Sequence, residues 1–359
     1  MMASRSGTVG LVAFLTAAVS AILLLVSRTS SPLNGSGTKS LVDGRSIDAL
    51  LSGVILKDPG AYSLLKMCDE DGSCHEDPAV STPRTAYSAM DREQHVKWWN
   101  YHAVLNATAQ EYAARRGDEG SISGRSRPLI LLGDSITESW LGTGIGEPRA
   151  RADGVPEVLS ELSQREDFDP LVVAVSGDQT QHLLYRMGHG QILSGYADDP
   201  NSLFVCMIGT NDLGSGILPG PTTEGVLAVA EYILKNTKGT LIMFEILPRG
   251  DKKFKFLPAI CPPRCDKHGE KFASFGPAVD KVNRALREAA PKLSKMYDGR
   301  MSLVGCGDLF VPKDGGGPGR EVRDDLMPDQ LHPNAEGYRL LADCLMRCVK
   351  GKCSRESVT

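Results

Sequence analysis

The chain has 359 residues, of which 41% are hydrophobic and 23% are charged, and its net charge is −4. This composition is ordinary for a globular protein with a buried core and excludes a largely disordered chain. The small net charge gives no indication of a nucleic-acid partner, and none is predicted. The length is large for one domain and small for two complete ones.

The N-terminal residues contain an apolar segment long enough to be a membrane anchor. Residues 6–27 carry no charge, and Arg5 and Arg28 flank them. Such a stretch can cross a hydrocarbon core of about 30 Å. Small residues suited to cleavage are missing directly after it, which favours a retained signal-anchor at residues 1–28 over a cleaved signal peptide. We therefore predict a single-pass membrane protein of the secretory pathway with a lumenal or extracellular body; secretion after cleavage is the alternative.

Nine cysteines are unusual for a protein in a reducing compartment. No pair has CxxC spacing, so we predict disulfides and no metal site. Cys206 lies in an apolar run and is predicted to be buried and unpaired. The other eight allow roughly a hundred connectivities, which leaves the pairing open. They are Cys68, Cys74, Cys261, Cys265, Cys306, Cys344, Cys348 and Cys353. Glycosylation sequons at Asn34 and Asn106 agree with a lumenal glycoprotein.

Two segments precede the main domain. Residues 29–85 are predicted to be a stalk or linker, because their first half is rich in Ser, Gly, Thr and Asp. Residues 86–124 are predicted to be a helical extension, since Trp98, Tyr101, Leu105 and Tyr112 recur among charged residues in a proline-free stretch. We expect this amphipathic helix to pack its aromatic side chains on the next domain rather than to bind a ligand.

Apolar runs then alternate with helix-like segments. The runs are residues 128–132, 171–175, 203–208, 240–247 and 301–304, and the helices are residues 156–163, 179–193, 223–235, 276–295 and 334–349. This alternation favours a parallel sheet covered by helices on both faces. We predict a three-layer α/β/α sandwich over residues 125–352, followed by a tail at residues 353–359.

Two insertions interrupt the alternation. The first, residues 142–154, is rich in glycine and contains Arg149 and Arg151. The second, residues 248–275, is basic: from Arg249 to Lys271 it has seven Lys or Arg residues against three Asp or Glu residues. Because loops at the carboxyl ends of strands line ligand crevices, the second could form a basic rim that receives an anionic substrate. An ordinary solvated loop is the alternative.

Three short motifs stand at predicted strand ends or helix starts. They are Gly133-Asp134-Ser135-Ile136, Gly209-Thr210-Asn211-Asp212 and Asp329-Gln330-Leu331-His332. In the first motif, Gly133 permits a tight strand-to-helix turn, and Asp134 is predicted to brace it through hydrogen bonds to the backbone. The turn presents the hydroxyl of Ser135 above the sheet edge as a candidate nucleophile.

The other motifs supply what a serine nucleophile needs. His332 is the candidate base, because a serine hydroxyl is a poor nucleophile without one. Asp329 stands three residues earlier and can fix the imidazole tautomer. The N–H groups of Ser135 and Gly177 and the side-chain amide of Asn211 can meet the negative oxygen that forms when an acyl carbonyl is attacked. We expect these residues to converge at the carboxyl edge of the sheet.

The same residues resemble the SGNH hydrolase superfamily, also called GDSL esterases/lipases. The segments 175–180 and 329–338 are similar to its compact branch, which includes platelet-activating-factor acetylhydrolase catalytic subunits and bacterial thioesterase/lysophospholipases. The resemblance covers residues 128–350. It implies a flavodoxin-like five-stranded sheet and the roles given above for Ser135, His332, Asp329, Gly177 and Asn211. It implies no metal and no cofactor.

The leading hypothesis is a serine esterase that hydrolyses short O-acyl esters, above all acetyl esters, through an acyl-enzyme. The substrate would be a small-molecule, glycan or lipid ester. An O-acyltransferase acting on glycans would use the same triad, so this alternative stays open. A catalytically silent binding protein is a further alternative, because a fold does not guarantee a function. The sequence does not determine the acyl group, the alcohol or the oligomeric state.

Overall fold

The computed structural model describes residues 76–84, 91–117, 126–250, 275–312 and 322–353. Within these ranges, no helix is both long and apolar enough to span a lipid bilayer. The predicted anchor at residues 1–28 and most of the predicted linker lie outside the described residues, as does the basic insert after Gly250. The anchor therefore stays a prediction.

Five parallel strands form the central sheet. These five strands are β1 (Arg127–Gly133), β4 (Phe168–Ala174), β5 (Leu203–Met207), β6 (Thr240–Phe244) and β7 (Met301–Val304). Two further short strands are β2 (Thr143–Gly144) and β3 (Glu147–Pro148). The order across the sheet is β4-β1-β5-β6-β7, and β2 and β3 form a separate antiparallel hairpin. This is the flavodoxin-like order, in which the second strand of the sheet lies beside the first on the outside.

Helices cover both faces of the sheet, as predicted. They are α1 (Asp91–Gly117), α2 (Ser135–Glu138), α3 (Val155–Glu166), α4 (Thr180–Arg186), α5 (Ser194–Ala197), α6 (Thr210–Gly214), α7 (Pro219–Asn236), α8 (Gly276–Met296) and α9 (Ala335–Val349). Alternate residues of a strand point to opposite faces. Ile130 and Leu132 therefore pack in the core of α4, α7 and α8. Leu129 and Leu131 pack in the core of α3 and α9. The three-layer α/β fold is confirmed.

Helix α1 packs its aromatic face on the domain that follows it. Trp98, Tyr101 and Leu105 are buried and form a small apolar cluster with Val175, which directly follows β4. The indole Nε1 of Trp98 donates a hydrogen bond of 2.7 Å to Oδ1 of Asp178. The extension is thus attached beside the carboxyl end of β4 by both apolar packing and a buried hydrogen bond.

Residues 76–84, which the sequence analysis assigned to a linker, lie against the same part of the domain. The hydroxyl oxygen of Thr180 lies 2.9 Å from the carbonyl oxygen of Pro78. The backbone N–H of Thr82 donates to the carbonyl of Gln181 at 3.2 Å. Both contacts involve the start of α4, so this segment is tied to the turn between β4 and that helix.

The described cysteines form two disulfides. Cys306, which follows β7, is bonded to Cys344 in α9, and Cys348 is bonded to Cys353. Cys206 is buried and free, as predicted. The remaining four cysteines lie outside the described residues. The first disulfide joins the last strand of the sheet to the last helix.

Of the two sequons, Asn34 lies outside the described residues and Asn106 lies in α1. The side chain of Asn106 is half-buried, and its Nδ2 donates to the carbonyl of His189 at 2.8 Å. A glycan on Asn106 would have to be accommodated beside this contact.

Candidate active site

The strand register brings three turns to one edge of the sheet. Gly133, the last residue of β1, is paired with Ala174 of β4 on one side and with Met207 of β5 on the other. The residues that follow each of these positions therefore leave the sheet at the same level. They carry the first motif, the Gly177 turn and the second motif.

The turn after β1 requires glycine because of its surroundings. A Cβ atom on Gly133 would lie 2.3 Å from the carbonyl oxygen of Met207 and 2.3 Å from the hydroxyl oxygen of Thr137. Oδ1 of Asp134 accepts a hydrogen bond of 3.0 Å from the N–H of Ile136 and caps the short helix α2. Asp134 thus braces the turn, as predicted, and Ser135 is the first residue of α2.

The structure brings Ser135, His332 and Asp329 into a single hydrogen-bonded chain. Oγ of Ser135 lies 2.8 Å from Nε2 of His332, although the two residues are 197 positions apart. Nδ1 of His332 lies 2.7 Å from Oδ2 of Asp329. Nδ1 donates to the carboxylate in the tautomer that leaves Nε2 free to accept the serine proton. The structure thus brings the three residues together, and their roles as nucleophile, base and carboxylate stay a prediction.

The turn that holds His332 is stabilised by its own residues. Oδ1 of Asp329 accepts hydrogen bonds from the backbone N–H groups of Leu331 and His332, at 3.0 and 2.7 Å. Gln330 adopts the left-handed conformation with φ of 65°, which allows the chain to turn back over the carboxylate. Asn334 then caps α9 by accepting a hydrogen bond from Gly337. The side chain of Asp329 thus fixes both the imidazole of His332 and the backbone that carries it.

Helix α9 also contacts the nucleophile turn directly. The hydroxyl of Tyr338 donates to the carbonyl of Ile136 in α2. The ring of Tyr338 packs edge-on against Trp140, with a centroid distance of 4.6 Å. Because His332 directly precedes this helix and Ser135 opens α2, the contact helps to fix the distance between base and nucleophile.

Burial and charge set the protonation of the pair. Burial would raise the pKa of Asp329, but the hydrogen bonds and charge of His332 outweigh it and lower this pKa to about 2. Burial lowers the pKa of His332, and the positive charges of Arg151 and Arg249 lower it further, whereas Asp329 acts in the opposite direction. The carboxyl is therefore ionised and the imidazole neutral at neutral pH, which is the state a general base requires.

Two other carboxyl groups of the motifs are fully buried. Burial raises the pKa of Asp134 to about 7. It raises the pKa of Asp212 to about 6, even though the hydroxyl of Thr180 donates to Asp212 at 2.7 Å. Both groups accept hydrogen bonds from residues of the site's turns, which indicates a bracing role.

Two of the predicted oxyanion donors, Gly177 and Asn211, belong to the segments that follow β4 and β5. Gly177 is exposed and has φ of +83°, a left-handed conformation that favours glycine. Nδ2 of Asn211 donates to the carbonyl of Asp178 at 3.0 Å, which places the amide beside the Gly177 turn. A side-chain amide has two N–H groups, so one remains for a ligand.

A buried glutamate that the sequence analysis did not identify supports this turn. Oε2 of Glu138 accepts hydrogen bonds of 2.7 Å from both the backbone N–H and the hydroxyl of Ser176. Its Oε1 accepts from Thr143 and Gly146 in the hairpin of β2 and β3. Glu138 therefore couples α2, the hairpin and the residue before Gly177. Nothing in its local sequence distinguishes it from an ordinary helix glutamate.

Three arginines lie around the site. Arg84 and Arg151 contact the Ser176 turn, and neither was identified as a site residue. Arg249, the first residue of the predicted basic rim, is buried; it donates to the carbonyl of Thr210 at 2.8 Å and stacks on Phe275. The rim after Gly250 lies outside the described residues, so its proposed contact with substrate stays a prediction.

Among the residues of the described ranges, no group of three or more His, Cys, Asp or Glu side chains is arranged to hold a metal ion.

A family profile matches most of the sheet domain and identifies the family of the chain. The profile of the GDSL-like lipase/acylhydrolase family matches residues 131–340. The chain belongs to this family. The match includes all three motifs, and the resemblance to the GDSL or SGNH hydrolases is confirmed. At the level of the family, the chain is an ester-hydrolysing enzyme. No curated protein sequence matches it.

Three bacterial proteins of known structure are similar to this chain. A lipase/acylhydrolase from Enterococcus faecalis is 16% identical, with a TM-score of 0.40 over 65% of this chain and 100% of the other. Axe2, an acetylxylan esterase from Geobacillus stearothermophilus, is 17% identical, with a TM-score of 0.42 over 65% and 99%. Esterase EstA from Pseudoalteromonas sp. is 16% identical, with a TM-score of 0.39 over 63% and 97%. With TM-scores below 0.5, these likenesses say nothing about the substrate of this chain.

Proposed function

We propose that the protein is a serine esterase that hydrolyses short O-acyl esters through an acyl-enzyme. The observation that carries the proposal is the chain of two short contacts, 2.8 Å from Ser135 to His332 and 2.7 Å from His332 to Asp329. These distances lie within the reach that a base needs to take the proton of a serine nucleophile.

In the first half of the reaction, Oγ of Ser135 attacks the acyl carbon and its proton passes to Nε2 of His332. The tetrahedral intermediate collapses, the bond from the acyl carbon to the alcohol oxygen breaks, and the imidazolium returns the proton to the departing alcohol. Asp329 stays ionised throughout and stabilises the imidazolium. In the second half, His332 deprotonates a water molecule, which attacks the acyl-enzyme and releases the acid and Ser135.

The charge on the carbonyl oxygen develops during both attacks and needs preset donors. We assign these donors to the backbone N–H groups of Ser135 and Gly177 and to the second amide hydrogen of Asn211. The left-handed turn at Gly177 and the bond from Asn211 to Asp178 support this assignment, because they hold both donors before substrate binds.

The cellular setting is proposed from the cysteines and the N-terminal sequence. Two disulfides among the described residues favour an oxidising compartment. We therefore propose that residues 1–28 anchor a lumenal or extracellular hydrolase domain at residues 125–352, and that glycan O-acyl esters are its natural substrate class. Alkaline extraction of membranes tests the anchor: release of the intact chain into the supernatant would rule it out.

The experiment that tests the esterase compares the full chain with Ser135→Ala on para-nitrophenyl acetate and octanoate. Ser160→Ala, which alters an exposed serine on α3, is the matched control. We expect loss of turnover to about the level of the solvent reaction in Ser135→Ala and no change in the control. The ratio of the two esters reports the size of the acyl pocket.

A serine-reactive fluorophosphonate provides a second readout. It should add to Ser135 in the native chain and not in Ser135→Ala, as judged by the mass of the peptide that contains this residue. A folded chain that hydrolyses neither ester and takes up no label would contradict the proposal. Labelling without release of acid, together with acylation of an added sugar, would instead favour the acyltransferase.

A further inference from the structure

A buried glutamate on the helix that begins with the candidate nucleophile is bonded to the turn that carries Gly177. Glu138 is the last residue of α2, three residues after Ser135, and it is completely buried. A buried carboxylate costs free energy unless donors meet its oxygens, so its contacts show what it holds. The proposed triad does not use this carboxylate.

Four donors surround the carboxylate of Glu138. Its Oε2 accepts from the backbone N–H and the hydroxyl of Ser176, both at 2.7 Å. Its Oε1 accepts from the hydroxyl of Thr143 at 2.9 Å and from the N–H of Gly146 at 2.8 Å. Four is about the number of bonds that one carboxylate can accept. Because the two oxygens are bound to different segments, the group cannot rotate without breaking bonds, and its position against the Ser176 turn is fixed.

The turn after β1 and the turn after β4 are joined at two points. The N–H of Val175 donates to the carbonyl of Gly133 at 3.3 Å. The second point is the bond from Ser176 to Glu138. Along the chain, Ser135 lies between Gly133 and Glu138, so the two attachments stand on either side of the nucleophile. The separation of the two turns is therefore constrained where the serine lies.

The contacts of Ser176 also determine the direction of the next N–H group. The carbonyl of Ser176 accepts from Nη2 of Arg84 at 3.2 Å. In a planar trans peptide this carbonyl and the N–H of Gly177 point in opposite directions. Gly177 is exposed, and within the described ranges its N–H donates to no other group of the protein. This N–H is therefore directed away from Arg84 and is available to a ligand.

We propose that Glu138 is a positioning residue for the reaction: its carboxylate holds the Ser176 turn against α2, so that the N–H of Gly177 stays aligned with that of Ser135 on the substrate oxygen. The inference rests on the proposed esterase function and adds a residue to its machinery. A displacement of about 1 Å at a reacting centre can cost about 10²-fold in rate. Since the negative charge on the oxygen develops only in the transition state, a misplaced donor should lower kcat and leave KM nearly unchanged.

The first test is Glu138→Gln, which keeps the shape of the side chain but presents an NH2 group to two of the four donors. We expect kcat on para-nitrophenyl acetate to fall by about 10–100-fold, with KM within about threefold of the native value. Phosphonylation of Ser135 by the fluorophosphonate should slow by a similar factor, because that attack also places negative charge on an oxygen. Glu147→Gln is the matched control, since Glu147 lies in the same hairpin but is exposed and pairs with Lys97.

A second pair of variants leaves Glu138 in place. Ser176→Ala and Thr143→Val each remove one hydroxyl donor from the carboxylate, the first from Oε2 and the second from Oε1. Both should lower the free energy of unfolding by similar amounts. Only Ser176→Ala loosens the turn next to Gly177, so it should lower kcat by about three- to tenfold, whereas Thr143→Val should stay within about twofold of the native kcat.

The outcomes separate a positioning role from a purely structural one. A folded Glu138→Gln with lowered stability but native kcat and a native rate of phosphonylation would show that Glu138 only supports the fold. A rise in KM that accounts for the whole loss of kcat/KM would assign Glu138 to substrate binding and would also overturn the inference. If Glu138→Gln does not fold, equal kcat values for Ser176→Ala and Thr143→Val would overturn it. A native chain that hydrolyses neither ester and takes up no label would instead contradict the proposed function.

Discussion

The two sides of the candidate site are built from contacts of very different range along the chain. On the base side, Asp329 bonds to the imidazole and to two backbone N–H groups that lie two and three residues away. On the side of the proposed oxyanion donors, the Gly177 turn is held by Arg84, 92 residues from its partner Ser176, and by Trp98, 80 residues from Asp178.

This difference shows which parts of the site are self-contained. The turn from Asp329 to His332 is held largely by hydrogen bonds among its own residues. The Gly177 turn depends on segments that fold against it from the N-terminal side. The Asp329–His332 turn is therefore determined mainly by its own short motif. The Gly177 turn is determined by tertiary contacts with distant residues of this chain.

The largest effect is expected on the base side. Asp329→Asn should lower kcat by about 10³–10⁴-fold, because an amide cannot stabilise the imidazolium and favours the wrong imidazole tautomer. The measurement is the rate of para-nitrophenyl acetate hydrolysis, with the melting temperature as a check on folding. Asp325→Asn, which alters an exposed carboxylate that pairs with Arg323 in the same loop, is the control. A loss below about tenfold would mean that Asp329 does not orient the base.

An intermediate effect is expected on the oxyanion side. Trp98→Phe removes the donor to the buried Asp178 and should lower the free energy of unfolding by about 1–3 kcal/mol. It should also lower kcat/KM, since the adjacent Gly177 turn loses a support, and leave the pH at which activity falls unchanged. Trp99→Phe is the control, because Trp99 is only half-buried. Unchanged kcat/KM with lowered stability would show that α1 stabilises the fold without shaping the site.

The success of prediction from sequence also differs between local and long-range features. The strand at residues 301–304 and the helix starting at Gly276 agree with the structure, because apolar periodicity is a local signal. Strand β4 begins at Phe168, before the predicted residue 171, since Pro170 is tolerated in an edge strand. Helix α7 begins at Pro219, before the predicted residue 223, because proline is compatible with the first turn of a helix.

For the site, Ser135, His332 and Asp329 were predictable because each stands at an element boundary with a recognisable chemical partner. The contacts of Arg84 and Glu138 were not. Arg84 lies in a stretch that resembles a linker, and Glu138 resembles any helix glutamate. Their roles come from the tertiary packing, which periodicity and spacing do not encode.

The smallest expected effect is a shift in the pH dependence of kcat/KM. The pKa of His332 is lowered by burial and by the positive charges of Arg151 and Arg249, against the opposing effect of Asp329. Activity requires the neutral imidazole, so the acidic limb of the kcat/KM profile should lie below the ordinary histidine pKa of about 6.5. Arg151→Gln removes one positive charge and should move this limb to higher pH.

The pH profile of Arg149→Gln is the control for that shift, because this exposed arginine is not among the groups that act on His332. A limb that stays in place in Arg151→Gln would show that Arg151 is screened from the imidazole. A native limb above the ordinary histidine value would mean that Asp329 outweighs burial at this site.

The order of the site residues along the chain has a consequence for synthesis. Ser135 precedes His332 by 197 residues. At a translation rate of about 5–20 residues per second, the nucleophile therefore exists for roughly 10–40 s before the residue that activates it is added. During that interval the strands, α1 and the Arg84 segment can assemble around a serine that has no base. At these translation rates, the growing chain stays inactive until its last loop and helix are synthesised. The addition of these two elements completes the site and activates the enzyme.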